Sequence, residues 1–234
     1  MTPGDPAPTP HDATHGDGPD AWPPLPASLP MADGQVHLAR ASARAAAASP
    51  PASGLPADEQ ARAARFRRPG PRARFVAGRV VLRELLRRCP DRTAADVPLT
   101  SSPEGKPRLP GPDAPRFSIS HAGDVVLVAV GEAEVGVDVE AARPGLDTVP
   151  LAGRVLGPRA AAELAGLDPD ARPAAFLVLW TRHEAALKCR GVGFAGDPRE
   201  ADGLTVHSFA LPDAYAGAIA VAAPCVLSRW TWRP

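Results

Sequence analysis

Several features that would declare a function outright are missing from these 234 residues. Cysteine occurs three times, at Cys89, Cys189 and Cys225, with no C-x-x-C spacing. That odd, scattered set excludes a disulfide framework and a zinc knuckle. No run of 18 apolar residues exists, and the N-terminus lacks the basic and apolar pattern of a signal peptide, so a membrane span is not expected. Charge of either sign is not in excess: Lys plus Arg and Asp plus Glu both number 26. A general nucleic-acid binder would show a basic surplus. There is no G-x-S-x-G elbow, no Walker lysine loop and no strand-borne G-x-G-x-x-G. A cytoplasmic, soluble protein without nucleic-acid or membrane partners is the expectation that these absences leave.

What the chain does have is proline, 30 residues of it, concentrated early. Residues 1–33 mix proline, glycine and acid with few apolar side chains, so they predict a disordered, Pro-rich tail that carries His11 and His15 as solvated residues. Beyond it, GQVHLARAS (34–42) alternates like a strand. LPADEQARAARFRRPG reads as a helix from Pro56 to about Pro69-Gly70. RARFVAGRVVLRELLRRC reads as a second helix, with Phe75, Val76, Val80, Leu82 and Leu86 buried and Arg72, Arg74, Arg79, Arg83 and Arg87 on the wetter side. APRFSISHAGDVVLVAVGEAEVGVDVE predicts three strands with turns at Ala122-Gly123-Asp124 and Gly131-Glu132. PRAAAELAGL and PAAFLVLWTRHEAALKCRG predict helices, the latter stopped by Gly191. The remainder reads as antiparallel strands. The order of elements predicts an α+β protein of two similar halves, 34–132 and 133–234, each a small antiparallel sheet packed with helices.

Three clusters carry chemistry. In VGVDVE, strand alternation puts Asp138 and Glu140 on one face while Val137 and Val139 point inward. Two such carboxylates repel unless a cation or water relieves them. In LWTRHEAALKCRG, Glu184 and Lys188 are i,i+4 neighbours on a helix, with Trp180 and Leu187 expected to anchor its flank against the sheet. Such a pair is also common on solvated helices. Joined to Asp138 and Glu140, however, Glu184 completes an all-oxygen site of the kind that holds Mg²⁺ while leaving room for water and phosphate. In FSISHAG, Ser120 and His121 are adjacent on a strand and point apart, which excludes a nucleophile–base dyad and favours phosphate contact at a strand end. EGKPRLP adds a turn glycine and a cation at Lys106. GRVVLRE (78–84) opens like the Nudix pyrophosphohydrolase box but lacks the glutamates that box requires next.

Taken in order, G-K-P, F-S-I-S-H, G-V-D-V-E and W-T-R-H-E-A-A-L-K with a following G-V-G-F resemble the motifs of the Sfp-type 4′-phosphopantetheinyl transferases. The resemblance spans roughly residues 35–230 and includes the upstream RFRRPGPRARFVAGRVVLRELL. It implies the fold of that family, with two pseudo-symmetric halves in one monomeric chain. It also implies transfer of the phosphopantetheine arm of coenzyme A to a serine of an apo acyl or peptidyl carrier protein, releasing 3′,5′-ADP, as in polyketide or peptide assembly. By motif, Asp138, Glu140 and Glu184 match its magnesium ligands. Glu184 is then the proton acceptor and Lys188 the phosphate-contacting lysine. Lys106, Pro107, Ser120 and His121 match its coenzyme A contacts, and Arg62 and Arg74 sit where members place basic residues for the 3′-phosphate. Two positions depart: His183 replaces the usual lysine, and Glu59 stands where some members are basic. Near phosphates the His183 imidazole would be favoured in its charged form. Two other readings stay compatible with these residues: a silent coenzyme A or carrier binder, and a Mg²⁺-dependent phosphoanhydride hydrolase.

Overall fold

The computed structural model describes residues 22–31, 34–90, 95–143, 145–192 and 203–234. His11, His15 and the Gly193-Phe194 end of the last helical motif lie outside the described residues. In chain order the elements of the first part are β1 (Gln35–Ser42), α1 (Ala43–Ala48), a 3-10 turn (Pro50–Gly54), α2 (Ala57–Ala64), α3 (Pro69–Arg88), β2 (Thr100–Ser101), β3 (Pro107–Arg108), β4 (Arg116–Ala122) and β5 (Val125–Gly131). Those of the second are β6 (Val135–Ala141), α4 (Thr148–Val155), α5 (Pro158–Ala165), α6 (Arg172–Arg190), β7 (Thr205–Leu211), β8 (Tyr215–Val221) and β9 (Val226–Thr231).

Each part is a long helix laid across antiparallel strands, the α+β arrangement expected. Pro69 opens α3 at a position where its fixed φ suits a helix and its missing N–H costs nothing. The helix buries Ala77, Val80, Val81, Leu82, Leu85 and Leu86 in one core with Val126, Val128 and Val130 of β5 and Phe117 of β4. In the second part α6 ends at Gly191, whose φ of 75° lets its N–H and that of Val192 reach back to the Leu187 carbonyl. Small residues set how closely α6 approaches its sheet: Ala185, Ala186 and Cys189 pack on Ala218 and Ala220. Gly136 of β6 lies directly beneath, where a Cβ would collide with the Ala185 carbonyl and the Cys189 backbone nitrogen.

The two sheets, β4-β5-β1-β9 and β6-β8-β7, meet along β4 and β6. Hydroxyls replace a backbone ladder there. Ser118 Oγ accepts from the Val137 N–H at 3.0 Å, and Ser120 Oγ from the Val139 N–H at 3.3 Å. A strand edge that would otherwise expose unpaired donors is thereby satisfied by side chains.

Four expectations need correction. β9 pairs with β1, and in parallel, so residues 226–231 complete the sheet of the first part rather than extending an antiparallel run in the second. They cover what would be an open edge at β1. The tail does not run to residue 33. Trp22 and Leu29 are buried, Leu25 N–H bonds the Thr231 carbonyl, and Leu29 N–H bonds the Arg88 carbonyl. Three apolar side chains are spaced among prolines that have little backbone freedom to lose, which lowers the ordering cost. His37 helps to hold the segment. The Trp230 indole donates to Nδ1 at 3.3 Å, so Nε2 carries the proton given to the Pro30 carbonyl at 2.6 Å. Arg79 and Arg83 are not on a wet face either: Arg83 is 1% exposed. Its guanidinium bonds Glu59 Oε1 and the carbonyls of Ala95 and Val97, so the charge is buried with its counter-ion. Finally, Trp180 packs mainly on Phe176 and the α4–α5 side, and reaches the sheet through a hydrogen bond to Glu140 of β6. The Ala-rich α1 and the short α4 were not anticipated from periodicity.

Candidate active site

A cleft of about 320 Å³ opens between the two parts. α2 and α3 supply Arg62, Arg74, Phe75 and Arg79; the β2–β3 hairpin supplies Glu104, Gly105, Lys106 and Pro107; β4 supplies Ser118 and His121; α6 supplies Glu184, Leu187 and Lys188. The balance is strongly basic. Lysine occurs at only two positions in the chain, 106 and 188, and both line this cleft.

Glu184 is the buried acid on its wall. It is 5% exposed, one turn of α6 above Lys188, and its Oε1 is buried without a hydrogen-bond partner. Burial, with Asp138 and Glu140 adding repulsion against the opposing pull of Lys188, pushes its carboxyl up to about 7. Asp138 lies behind it on β6, 3% exposed. Its Oδ1 receives the Lys188 ammonium at 2.6 Å and the Ser120 hydroxyl at 2.8 Å, while its Oδ2 is buried and unpartnered. Lys188 also bonds Ser120 Oγ at 3.0 Å. Glu140 stands two residues along β6, toward a second cavity formed with α4 and α6. Burial and the charge of Asp138 raise its pKa against the pull of Arg143 and Lys188.

Glu184 thus feels the charges of Asp138 and Glu140, with Lys188 the cation among them. Among the described residues, no three His, Cys, Asp or Glu side chains are already gathered as a metal-holding group. The donor set nevertheless fits a hard cation: two buried carboxylate oxygens, Asp138 Oδ2 and Glu184 Oε1, lack partners, and the charge of Asp138 helps to raise the pKa of both Glu140 and Glu184.

The other expected site residues divide. Arg62 and Arg74 line the cleft, with the Arg62 guanidinium 5.4 Å over the Phe75 ring. Arg74 has no ion-pair partner among the described residues. Pro107 and His121 line it too, and burial, with Arg74 and Lys188 as like charges, lowers the His121 pKa. Ser120 is turned to Asp138 and is not on the cleft wall; Ser118 is. Lys106 presents its aliphatic stem, while its ammonium turns away to Glu134 Oε2 and to the carbonyls of Val135 and Cys189. His183 does not line the cleft. Its ring lies 6.0 Å from that of Trp180, and burial lowers its pKa rather than raising it. One side of α6 turns Glu184 and Lys188 to the cleft, and the preceding residue necessarily projects elsewhere. Arg79, Phe75 and Glu134 were missed as contributors. Arg79 pairs with Glu59 and Glu134 with Lys106 and Arg108, partners far away in sequence that no local spacing marks, while Phe75 reads from periodicity as core.

A family model described as "4'-phosphopantetheinyl transferase superfamily" matches residues 134–224, and one described as "4'-phosphopantetheinyl transferase, N-terminal" matches residues 46–133. The chain is 34% identical over 180 residues to 4′-phosphopantetheinyl transferase HetI of Nostoc sp., a match covering 74% of this chain and 76% of the relative. It is 36% identical over 121 residues to 4′-phosphopantetheinyl transferase AcpT of Salmonella typhi, covering 51% and 59%. With 4′-phosphopantetheinyl transferase Sfp of Bacillus subtilis it shares 27% over 167 residues, covering 69% and 70%. The chain also spans 59% of a relative from Synechocystis sp., at 35% identity over 145 residues.

Proposed function

The chain belongs to the 4′-phosphopantetheinyl transferase superfamily, and from that premise we propose that its cleft binds coenzyme A and passes the 4′-phosphopantetheine arm to a serine of an apo carrier protein. The observation that carries the reading is the joint lining of one cleft by Arg62, Arg74, Arg79 and Lys188 around the buried acid Glu184. Fixed cations suit a ligand rich in phosphate, and a carboxyl near neutrality suits proton transfer at working pH.

Arg62 and Arg74, at the α2–α3 side, would grip the phosphate farthest from the reacting bond. Phe75 offers an apolar ring against which the Arg62 and Arg79 guanidiniums lie. Asp138, Glu140 and Glu184 would hold Mg²⁺, which when bound neutralises pyrophosphate charge and polarises the phosphorus under attack. Glu184, on the cleft wall, would take the proton of the incoming serine hydroxyl. The carrier oxygen forms the new bond to phosphorus, the bond to the neighbouring phosphate breaks, and 3′,5′-ADP leaves. Lys188 would steady the charge that gathers on that leaving phosphate. As in other phosphoryl transfers, positioning and charge account for most of the acceleration.

Among the described residues no helix is long and apolar enough to cross a membrane. Calorimetry tests the reading. Wild-type protein should bind coenzyme A more tightly than dephospho-coenzyme A. Arg62→Ala and Arg74→Ala should each weaken coenzyme A by about tenfold, one charge-assisted contact, and leave dephospho-coenzyme A nearly unchanged. Absence of wild-type binding to either nucleotide would sink the proposal.

A further inference from the structure

The β2–β3 hairpin forms a wall of the cleft, yet little within it explains why it stays in place. Its strands are two residues each, exposed or half-buried, and its turn rests on Gly105 at a φ of 88°. Beyond the short pairing of Thr100 with Arg108 and Ser101 with Pro107, its internal bonds are few: Ser102 N–H to the Lys106 carbonyl, Gly105 N–H to the Ser102 carbonyl, Lys106 N–H to Ser102 Oγ, and the Thr100 hydroxyl to the Arg108 carbonyl. A hairpin of this size is marginal in water by itself. What fastens it is one carboxylate on the link between β5 and β6. Glu134 Oε2 takes the Lys106 ammonium at 2.8 Å, and Oε1 takes Arg108 Nη1 at 2.8 Å, with Arg116 Nε at 3.6 Å. The Lys106 ammonium then spends its remaining protons on the Val135 carbonyl at 3.1 Å and the Cys189 carbonyl at 3.2 Å. Hairpin, start of β6 and last turn of α6 are thereby tied at one point.

We propose that Glu134 is a positioning residue, an ionic latch that holds the Glu104–Pro107 wall against α6 and so sets the cleft's width for its nucleotide. The inference rests on the reading of the cleft as a coenzyme A site. Only an ammonium can present protons to three acceptors spread around one point, since a guanidinium is planar. This gives a physical reason for lysine at 106 in a chain whose other fixed cations, Lys188 apart, are arginine. Glu134 stays charged in this role. Burial alone would raise its pKa, but the Lys106 hydrogen bond and the charges of Lys106, Arg108 and Arg116 outweigh that and lower it. The latch holds no reacting atom. Its loss should therefore weaken binding and leave the rate at saturation alone, because a loosened wall must be reordered each time the ligand binds.

The test is calorimetry of full-length wild type, Glu134→Gln, Glu134→Asp, Arg108→Gln and the Glu134→Gln/Arg108→Gln double variant, with coenzyme A as the probe. Turnover at saturating coenzyme A is measured in parallel. Glu134→Gln should raise Kd about tenfold with kcat within about twofold of wild type, and Glu134→Asp should recover part of the affinity. Arg108→Gln should weaken binding about threefold alone and add nothing in the Glu134→Gln background, since both remove the same tie. Should Glu134→Gln fail to fold, the partly exposed Arg108→Gln still reports. Wild-type Kd in Glu134→Gln or in Arg108→Gln, or strictly additive effects in the double variant, overturns the latch while leaving the coenzyme A reading intact. Failure of the wild type to bind coenzyme A removes both.

Discussion

At the scale of single residues, Glu184 is the centre of the proposed chemistry, because it is the cleft acid with a buried, unpartnered oxygen and a carboxyl raised to about 7. Its linkage to stability has a definite sign. In the unfolded chain the group releases its proton near its ordinary value of 4.5, whereas the folded protein keeps it to about 7. Between those values the folded state binds more protons, so stability falls as pH rises through the window. Against the opposite slope of His37, His121 and His183, whose pKa values burial lowers, metal-free wild type should therefore lose melting temperature relative to Glu184→Gln between pH 5 and pH 7.5. Glu140, also raised, adds slope of the same sign. Glu184→Gln should remove that share of the slope and lower transfer by ~10²-fold or more, since on the proposed reading it takes away both a metal oxygen and the proton acceptor. An unchanged melting slope or near-wild-type turnover in Glu184→Gln would contradict the assignment. Much of this was legible in the sequence. Asp138 and Glu140 alternate on a strand, and Glu184 and Lys188 recur at helix spacing, so local periodicity alone puts each pair on one face. Glu59, Arg83 and Glu134 were not legible in the same way. Glu59 lies 24 residues from Arg83 and Glu134 lies 28 from Lys106, and charge defaults to the surface until its partner is known.

At the scale of elements, α6 is placed by what its neighbours lack. Gly136 leaves room for the α6 backbone, and Gly136→Ala must drive that helix off β6, carrying Glu184 and Lys188 with it. Displacement on the order of an ångström can cost ~10²-fold in rate. Gly136→Ala should lose at least about tenfold in turnover while keeping its helical circular dichroism. Full activity would show that α6 has slack which the packing does not suggest. The segment 22–31 carries the second element-scale prediction, because it was expected to be part of a mobile tail and is docked instead. Leu29 is 0% exposed. Leu29→Ala should cost about 2–5 kcal/mol and lower the melting temperature by roughly 5–15 °C, at a few degrees per kcal/mol for a chain of this size. A shift within a degree would mean the segment contributes nothing. Direction of pairing was likewise beyond the reach of local pattern. The alternation in VLSRWTW marks a strand, but nothing in it says that the partner is β1, in parallel, rather than β8.

At the scale of the whole molecule, two helix-on-sheet parts meet along β4 and β6 and leave one basic cleft at their junction. The acids that could hold a cation come from the second part, Asp138 and Glu140 from β6 and Glu184 from α6. The first part supplies Arg62, Arg74 and Arg79. Neither half could perform the proposed transfer alone, which accounts for a site built across their seam. The most direct test is intact-mass measurement of an apo carrier protein incubated with the full-length chain, coenzyme A and Mg²⁺. A covalent adduct of one phosphopantetheine group on the carrier, formed with stoichiometric 3′,5′-ADP and abolished by a chelator, is the predicted result. Cleaved coenzyme A beside an unmodified carrier, or intact coenzyme A beside an unmodified carrier across carriers of the acyl and peptidyl kinds, would contradict it.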